Sequence, residues 1–377
     1  MSPTPRWFDA HLDLGMLAEK GRDMHASLDD CRGELQPAAV TLPSLRDGHV
    51  RACLGTIFTQ AVTDPSAPDA EASAFAYPLG DADAAHRAGM RQLKLYQAWA
   101  SAGVIELMPS RARHVRPSSC LSPTGERAGV RGSPTPSSSS SSPLLLGILI
   151  ECADPITSPD ELDQWVDAGV VAIGMAWWHK SRYAAGNGVE HASDDDGLSD
   201  LGRELVKRMD DLGVVHDLSH LSQRSTEQLL ELTDAPVIAS HSNCRELLDG
   251  RDNEQWQRHL ADETIAEIGR RGGVVGLNLV RNFIRTGLDR NDPNDRPTID
   301  QAIAHVEHVC EIMGHRQGVG LGSDMDGGIT ADDLPAGINT PSDLVKLADA
   351  LNTRGWPDDD IHAFAWGNWA RFWNLGG

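Results

Sequence analysis

Eight short apolar runs recur along the chain, and polar segments separate them. The runs cover residues 7–13, 50–59, 144–151, 169–177, 213–219, 236–241, 273–280 and 318–323. Each run is rich in aliphatic or β-branched residues and is bounded by glycine, proline or polar residues, which is typical of a buried strand. Most of the intervening segments show helical spacing. Residues 199–212, for example, place Leu201, Leu205 and Met209 at intervals of four.

Alternation of strands and helices repeated eight times predicts an α/β fold, a (β/α)8 TIM barrel, formed by residues 1–377 as a single domain. The alternative is a doubly wound open sheet. That fold normally has a glycine-rich phosphate-binding turn after its first strand, and this sequence has none. Four of the ten tryptophans fall within residues 356–373, which predicts a C-terminal helical cap.

Residues 111–143 depart from this pattern. They contain Pro134-Thr135-Pro136 and six consecutive serines, Ser137 to Ser142. Such a composition cannot bury enough apolar surface to offset the entropy of ordering, so we predict a disordered insertion before the third strand. Loops that lead from a helix to a strand lie at the bottom of a barrel, away from the active-site face. A partner-binding tail is the alternative function for this segment.

The composition excludes several classes of partner. A formal net charge of −22 argues against nucleic acid and anionic membranes, which need a basic surface. Six scattered cysteines without a C-x-x-C pair predict reduced thiols. The N-terminus has no apolar signal region, and no apolar run is long enough to span a bilayer. We therefore expect a cytoplasmic protein.

Metal-ligating side chains end five of the apolar runs. His11 and Asp13 end the first, Glu151 the third, and Asp324 the eighth. His220 and His241 end the fifth and sixth. The C-terminal ends of parallel barrel strands converge on one face, so these groups are expected to meet there. Imidazole and carboxylate groups suit zinc and similar divalent ions, and the layout is that of a metallohydrolase.

Each of these residues also has a less specific explanation. His11 and Asp13 are two apart on a strand and point the same way, but an H-x-D pair alone arises by chance or in capping. Glu151 could form a salt bridge at the barrel rim; the accompanying histidines favour a carboxylate that bridges two metals. His216 or Asp217, on the fifth strand, could orient a ligand imidazole.

Two carboxylates follow the eighth run. Asp324 is the better catalytic candidate, because a carboxylate near a metal-bound water can accept its proton and later donate it to the leaving amine. Asp326 is predicted to cap the turn. The sequence has no G-x-S-x-G elbow, Walker loop or H-E-x-x-H helix, so serine nucleophiles and nucleotide binding have little support.

An ordered set of motifs in the sequence resembles those of a known family. The motifs are Asp9-Ala10-His11-Leu12-Asp13, the block Gly197 to Leu205, Asp217-Leu218-Ser219-His220, Ser240-His241-Ser242-Asn243 and Gly322-Ser323-Asp324-Met325-Asp326-Gly327. Together they resemble the membrane dipeptidase (renal dipeptidase, peptidase M19) family of amidohydrolase-like enzymes. The resemblance runs from residue 8 to about residue 373, apart from the insertion.

The resemblance implies a binuclear zinc dipeptidase in which a hydroxide between the metals attacks the peptide carbonyl. In its terms His11 and Asp13 bind one zinc, His220 and His241 bind the other, and Glu151 bridges them. Asp324 shuttles the proton. The family also uses an arginine for the substrate's C-terminal carboxylate; Arg258 matches that position best, and Arg251 is a rival. Family members often pair as homodimers.

The sequence departs from the family in two places. Cys152 and Ala153 follow Glu151, where the family usually has glycines. The family also has a substrate-polarising histidine at the end of strand four. A gapless alignment places Trp177 there, whereas a slip of two residues places His179 there. We retain His179 as a predicted substrate-binding residue, with Trp177 as its alternative.

Three functions remain open from the sequence. The first is a zinc dipeptidase that acts on dipeptides, including those with a C-terminal D-residue. The second is another zinc amidohydrolase, such as an N-acyl amino acid deacylase. The third is a catalytically inactive metal-binding scaffold, against which the complete set of five ligand positions argues.

Overall fold

The structure is a computed structural model, and it describes residues 5–62, 74–109, 142–188, 196–289 and 291–375, with only the backbone of Arg251. The strands are β1 Trp7–Leu12, β2 Val50–Phe58, β3 Gln60–Val62, β4 Ala76–Pro78, β5 Ile105–Leu107, β6 Leu144–Glu151, β7 Val170–Gly174, β8 Val215–Asp217, β9 Val237–Ala239, β10 Val274–Leu277 and β11 Val319–Leu321. The α-helices are α1 Leu14–Glu19, α2 Leu42–Asp47, α3 Ala82–Ser101, α4 Leu162–Asp167, α5 Asp200–Leu212, α6 Gln223–Leu232, α7 Asp262–Arg270, α8 Ile299–Met313, α9 Val345–Thr353, α10 Asp358–His362 and α11 Asn368–Phe372. The predicted insertion, residues 111–143, lies outside the described residues except for Ser142 and Pro143.

Eight parallel strands close into a barrel in the order β1-β2-β6-β7-β8-β9-β10-β11, and β11 pairs back with β1. Closure requires the pairing of β2 with β6, in which Phe58 lies opposite Glu151. Each of the eight predicted runs contains one barrel strand. The predicted TIM barrel is therefore confirmed, and the doubly wound sheet is excluded because an open sheet has two unpaired edges.

Three short strands were not predicted. β5 pairs with the first half of β6, and β3 pairs in parallel with β4 outside the barrel. Each has three residues, which is too short to show an alternating pattern of apolar and polar positions. The β3–β4 pair lies next to the C-terminal end of β2, and therefore beside the face that carries the predicted site.

The C-terminal helices close the other end of the barrel. Trp369 on α11 stacks on Phe8 with ring centroids 5.8 Å apart, and its indole nitrogen donates to the carbonyl of Leu321 at 2.9 Å. Gly320 makes room for it, since a Cβ there would lie 2.4 Å from the indole nitrogen. This packing confirms the helical cap and leaves the C-terminal ends of the strands open for a functional site.

Two expectations from composition bear on the described residues. None of the helices within the described ranges has the length and apolar character needed to cross a membrane. The cysteines described there, Cys31, Cys53, Cys152, Cys244 and Cys310, are free thiols.

Candidate metal centre

The C-terminal ends of the barrel strands bring five predicted ligands together. Glu151, the last residue of β6, lies among the histidines: its Oε2 is 3.5 Å from Nε2 of His11, and its Oε1 is 3.1 Å from Nε2 of His220 and 3.5 Å from Nε2 of His241. Its two oxygens thus face different sets of imidazoles. This is the arrangement expected of a carboxylate that bridges two cations.

Asp13 and Asp324 extend the cluster on the side of His11. Oδ2 of Asp13 lies 3.8 Å from Nε2 of His11, and the other oxygen of Asp13 accepts a hydrogen bond from the hydroxyl of Thr56. Ligand atoms of His11, Asp13 and Asp324 lie within 4.8 Å of one another, as do those of His11, Glu151 and His241. All of these side chains are buried.

The Nε2 atoms of His220 and His241 are placed to bind a cation rather than to form a hydrogen bond with each other. Nδ1 of His220 lies 2.9 Å from Oδ1 of Asn187, which can only accept, so the His220 hydrogen is on Nδ1. Its bare Nε2 lies 2.9 Å from Nε2 of His241. Oε1 of Glu151 is buried without a hydrogen-bond partner among the described residues. Buried nitrogen and oxygen lone pairs that converge in this way fit a divalent ion such as zinc.

Burial and the charges of the cluster set its protonation. Burial lowers the pKa of His11, but Glu151 and Asp13 outweigh this and raise it well above its ordinary value. Burial and the charge of Arg258 lower the pKa of His220 to about 4, and that of His241 falls well below its ordinary value, also chiefly through burial. His220 and His241 are therefore neutral at pH 7, the form in which imidazole binds metals.

Asp324 lies at the edge of this cluster. The amide of Asn278 donates to its Oδ2 at 2.9 Å, while its Oδ1 is 4.0 Å from Nε2 of His11. Burial raises the pKa of the Asp324 carboxyl to about 7, against the lowering effect of His11 and Arg258. One oxygen is therefore fixed, and the other faces the ligands.

Asp326 does not cap the turn with its side chain, as the sequence suggested. Its Oδ2 accepts hydrogen bonds from the guanidinium of Arg22 and from the backbone N–H groups of Ala39 and Val40, at 2.9 and 2.7 Å. The prediction was wrong because a local turn motif was assumed, whereas the carboxylate pairs with a segment almost 300 residues earlier.

Arg258 is buried at the end of a short 3-10 turn, Trp256–Arg258, in the segment between β9 and α7. It donates to the hydroxyl of Ser242 at 3.0 Å and to the carbonyl of His241 at 2.8 Å, and its guanidinium lies 4.9 Å from the ring centroid of Phe283. These contacts hold a positive charge directly beside His241, a predicted ligand. The side chain of its rival, Arg251, lies outside the described residues.

Trp177 and His179 lie close together but differ in their ring contacts with the predicted ligands. β7 ends at Gly174, so both belong to the following loop. The ring centroid of Trp177 lies 6.0 Å from that of His220 and 5.1 Å from that of Phe58. His179 lines a small cavity together with Trp177, Thr59, Tyr77, Cys152 and Asp154, and none of the five predicted ligands lines that cavity. Among the described residues, Trp177 has a ring contact with a predicted ligand imidazole and His179 has none.

Sequence reasoning missed Thr56, Asn187 and Asn278, which contact the cluster. Asn278 interrupts the apolar run 273–280, and a polar residue in a buried strand is a signal that could have identified it. Asn187 lies in a loop without periodicity and offered no such signal. Cys152, which the sequence already marked as a departure from the family's usual glycine, has a φ of 69°, a backbone conformation that favours glycine.

A closed barrel with buried nitrogen and oxygen ligands at its C-terminal strand ends defines a metallohydrolase type of site. Residues 141–375 match the family model of membrane dipeptidase, peptidase family M19. The chain belongs to this family.

Individual relatives agree with this assignment. The chain is 34% identical over 196 residues to an uncharacterized dipeptidase of Schizosaccharomyces pombe, an alignment that covers 52% of this chain and 43% of the yeast protein. It is 31% identical over 214 residues to an uncharacterized protein of Klebsiella pneumoniae, covering 56% of this chain and 74% of that one. The chain therefore spans less than half the length of the yeast relative.

A solved structure shares the fold over nearly the whole chain. It is a metallopeptidase from Rhodobacter sphaeroides bound to a phosphinate mimic of L-Ala-D-Ala, with a TM-score of 0.71, 22% identity, and coverage of 99% of both chains.

Proposed function

We propose that the protein is a dipeptidase that uses two zinc ions, with dipeptides carrying a C-terminal D-residue among its substrates. One observation carries the proposal: the two oxygens of Glu151 face His11 on one side and the His220–His241 pair on the other. His11 and Asp13 would hold one zinc, His220 and His241 the other, and Glu151 both. The phosphinate dipeptide mimic bound by the Rhodobacter protein supports the substrate class.

The zinc ions, when bound, would lower the pKa of the attacking water and stabilise the negative charge that develops on the peptide oxygen. The remaining steps fall to side chains of this chain. Asp324 would accept the proton released by the attacking water and pass it to the leaving amine. Asn278 holds one oxygen of Asp324, so that the free oxygen receives and delivers the proton.

Arg258 would bind the substrate's C-terminal carboxylate. Its guanidinium is buried, and its hydrogen bonds to Ser242 and His241 fix its direction. A fixed guanidinium favours a paired contact with a carboxylate.

Trp177 would form an aromatic wall of the substrate pocket. Its contacts with His220 and Phe58 support this role at the position where the family resemblance implies a polarising histidine. Charge stabilisation at the carbonyl would then depend on the zinc ions. Trp177→Ala should raise KM for dipeptides with a bulky residue, whereas His179→Ala should change kcat little. A large loss of kcat in His179→Ala would return His179 to the polarising role.

The deciding experiment measures metal content and turnover on the same preparation. Purified protein is analysed for zinc and then given L,L and L,D dipeptides and N-acyl amino acids. About two zinc ions per chain with dipeptide turnover is the expected result. Turnover of acyl amino acids alone would favour the deacylase function. Bound zinc without turnover of any amide would favour the scaffold.

A further inference from the structure

At two places in the barrel, a buried aspartate accepts hydrogen bonds from a serine near the end of the neighbouring strand. At the end of β8, Oδ1 of Asp217 accepts from the backbone N–H groups of Ser219 and Ser240, at 3.1 and 2.8 Å, and its Oδ2 accepts from the Ser240 hydroxyl. In β1, Asp9 makes the same three contacts with His11 and Ser323. Each serine directly precedes a residue of the candidate metal centre.

The two aspartate–serine pairs differ in what else the serine hydroxyl contacts. The hydroxyl of Ser240 lies 2.7 Å from Nδ1 of His241. The hydroxyl of Ser323 accepts from the backbone N–H of Met325 at 3.2 Å and contacts no imidazole among the described residues. Only the Asp217–Ser240 pair is therefore connected to a metal-ligating side chain.

Hydrogen counting gives this connection a direction. A serine hydroxyl has one hydrogen, and Ser240 donates it to Asp217. Towards His241 the hydroxyl can then only accept, so the hydrogen of the neutral imidazole lies on Nδ1. Nε2 of His241 is left with its lone pair, and it is this nitrogen that lies 3.5 Å from Oε1 of Glu151.

We propose that Asp217, acting through Ser240, is a positioning residue that fixes the metal-binding tautomer of His241. The proposal deepens the proposed function and rests on it, since it concerns a ligand of the same zinc site. Sequence reasoning offered His216 or Asp217 for such a role. His216 points outward instead, with its Nε2 2.8 Å from Oδ1 of Asp210 on α5.

Asp217→Asn tests the direction of the hydrogen bonds from His241 through Ser240 to Asp217, because asparagine has nearly the same shape as aspartate. The amide oxygen should keep the two backbone N–H donors, so the amide nitrogen would face Ser240 and donate to it. The serine hydrogen would then turn towards Nδ1 of His241 and place the imidazole hydrogen on Nε2, where it blocks the metal. The analogous loss of a carboxylate in a serine protease triad also imposes the wrong tautomer.

The first readout is the zinc affinity of the full chain, measured by competition with a chelator. Asp217→Asn and Ser240→Ala should each weaken zinc binding about 10–100-fold, and Ser240→Thr, which keeps the hydroxyl, should restore it. Ser323→Ala is the matched control, because it removes the same bond to a buried carboxylate without touching an imidazole. Affinity losses no larger than that of Ser323→Ala would overturn the proposal.

The second readout is independent of metal. Long-range proton–nitrogen spectra of metal-free, ¹⁵N-histidine-labelled protein report the tautomer of His241, assigned by the signals lost in His241→Gln. The wild type should carry the hydrogen on Nδ1, and Asp217→Asn should carry it on Nε2. A wild-type hydrogen on Nε2 would overturn the proposal. Failure of the wild type to bind zinc would overturn the proposed function, and these spectra would still decide the tautomer.

Discussion

Removal of the buried charge of Asp326 should destabilise the fold far more than removal of an exposed one. Asp326 and Arg22 form an ion pair in which neither side chain is accessible to solvent. Arg22 also donates to the carbonyls of Leu35 and Val40, at 2.6 and 3.2 Å. The pair thus joins the segment after α1 to the loop that carries Asp324.

The expected magnitude follows from what Asp326→Asn leaves behind. Burial raises the pKa of the Asp326 carboxyl despite the opposing effect of Arg22, so the attraction does not fully offset the desolvation of the carboxylate. The ion pair is therefore not expected to stabilise the fold more than an apolar pair of similar size would. Loss of one partner is another matter, because the Arg22 guanidinium stays buried without its counter-charge. Such losses cost about 3–5 kcal/mol of unfolding free energy.

Urea unfolding measures the effect, with Asp360→Asn as the matched control. Asp360 pairs with Arg316 at 2.7 Å, but its side chain is 37% exposed, so the same substitution should cost about 0–1 kcal/mol there. The slope of free energy against urea should stay constant in both variants. Amide exchange should also accelerate at Ala39 and Val40, whose N–H groups lose a charged acceptor.

The double variant Arg22→Met/Asp326→Asn separates the effect of an unpaired charge from the loss of the carboxylate itself. It should be more stable than Asp326→Asn alone, since it leaves no buried charge and its amide oxygen can still accept from the N–H groups of Ala39 and Val40. A cost of Asp326→Asn no larger than that of Asp360→Asn would contradict this prediction. So would a double variant that is less stable than Asp326→Asn alone.

Three further predictions concern the site and its barrel. Asp324→Asn should keep its zinc while kcat falls about 10²–10⁴-fold, and a kcat near wild type would remove Asp324 from the mechanism. Chelation should lower the melting temperature, because zinc at 1,000 times its Kd stabilises the fold by about 4 kcal/mol; an unchanged value would argue against a metal site. Gly322→Ala should lower the free energy of unfolding in urea by about 3 kcal/mol or more, because its Cβ would lie 1.8 Å from the Ser240 carbonyl oxygen. Gly367→Ala, whose Cβ would have no neighbour closer than 3.7 Å, should be tolerated, and equal costs for the two variants would contradict this prediction.

The features that could be predicted from the sequence depend on local geometry. Strand ends are marked by a change from apolar to polar residues, and strands of a closed barrel share one direction. The position of the predicted ligand residues at one end of the barrel could therefore be predicted before the structure. The start of α5 is equally local: the hydroxyl of Ser199 accepts a hydrogen bond from the N–H of Gly202.

Contacts between distant parts of the chain could not be predicted in this way. Asp326 lies in a turn, and turn residues usually bond to near neighbours, yet its partner Arg22 lies 304 residues away. Asp217 and Ser240 are 23 residues apart and meet only because β8 and β9 pair in register. The sequence contained both residues of each pair but no local sign that they would meet.

The loop after β7 shows why the substrate side of the site is the hardest part to predict. Trp177 and His179 are two residues apart, and only the path of this loop decides which one meets the ligands. That path depends partly on a residue outside the loop: the N–H of Asn187, within the loop, donates to the carbonyl of His220 at 2.8 Å and to that of Trp177 at 3.3 Å. His11 and Glu151 lie in strands and the other predicted ligands follow a strand end by one to three residues, whereas the loop after β7 continues to Ser199 before α5 begins. Substitutions at Trp177 can therefore alter the proposed substrate wall alone, whereas substitutions at Asn187, which contacts His220 from the same loop, would also disturb the predicted metal site.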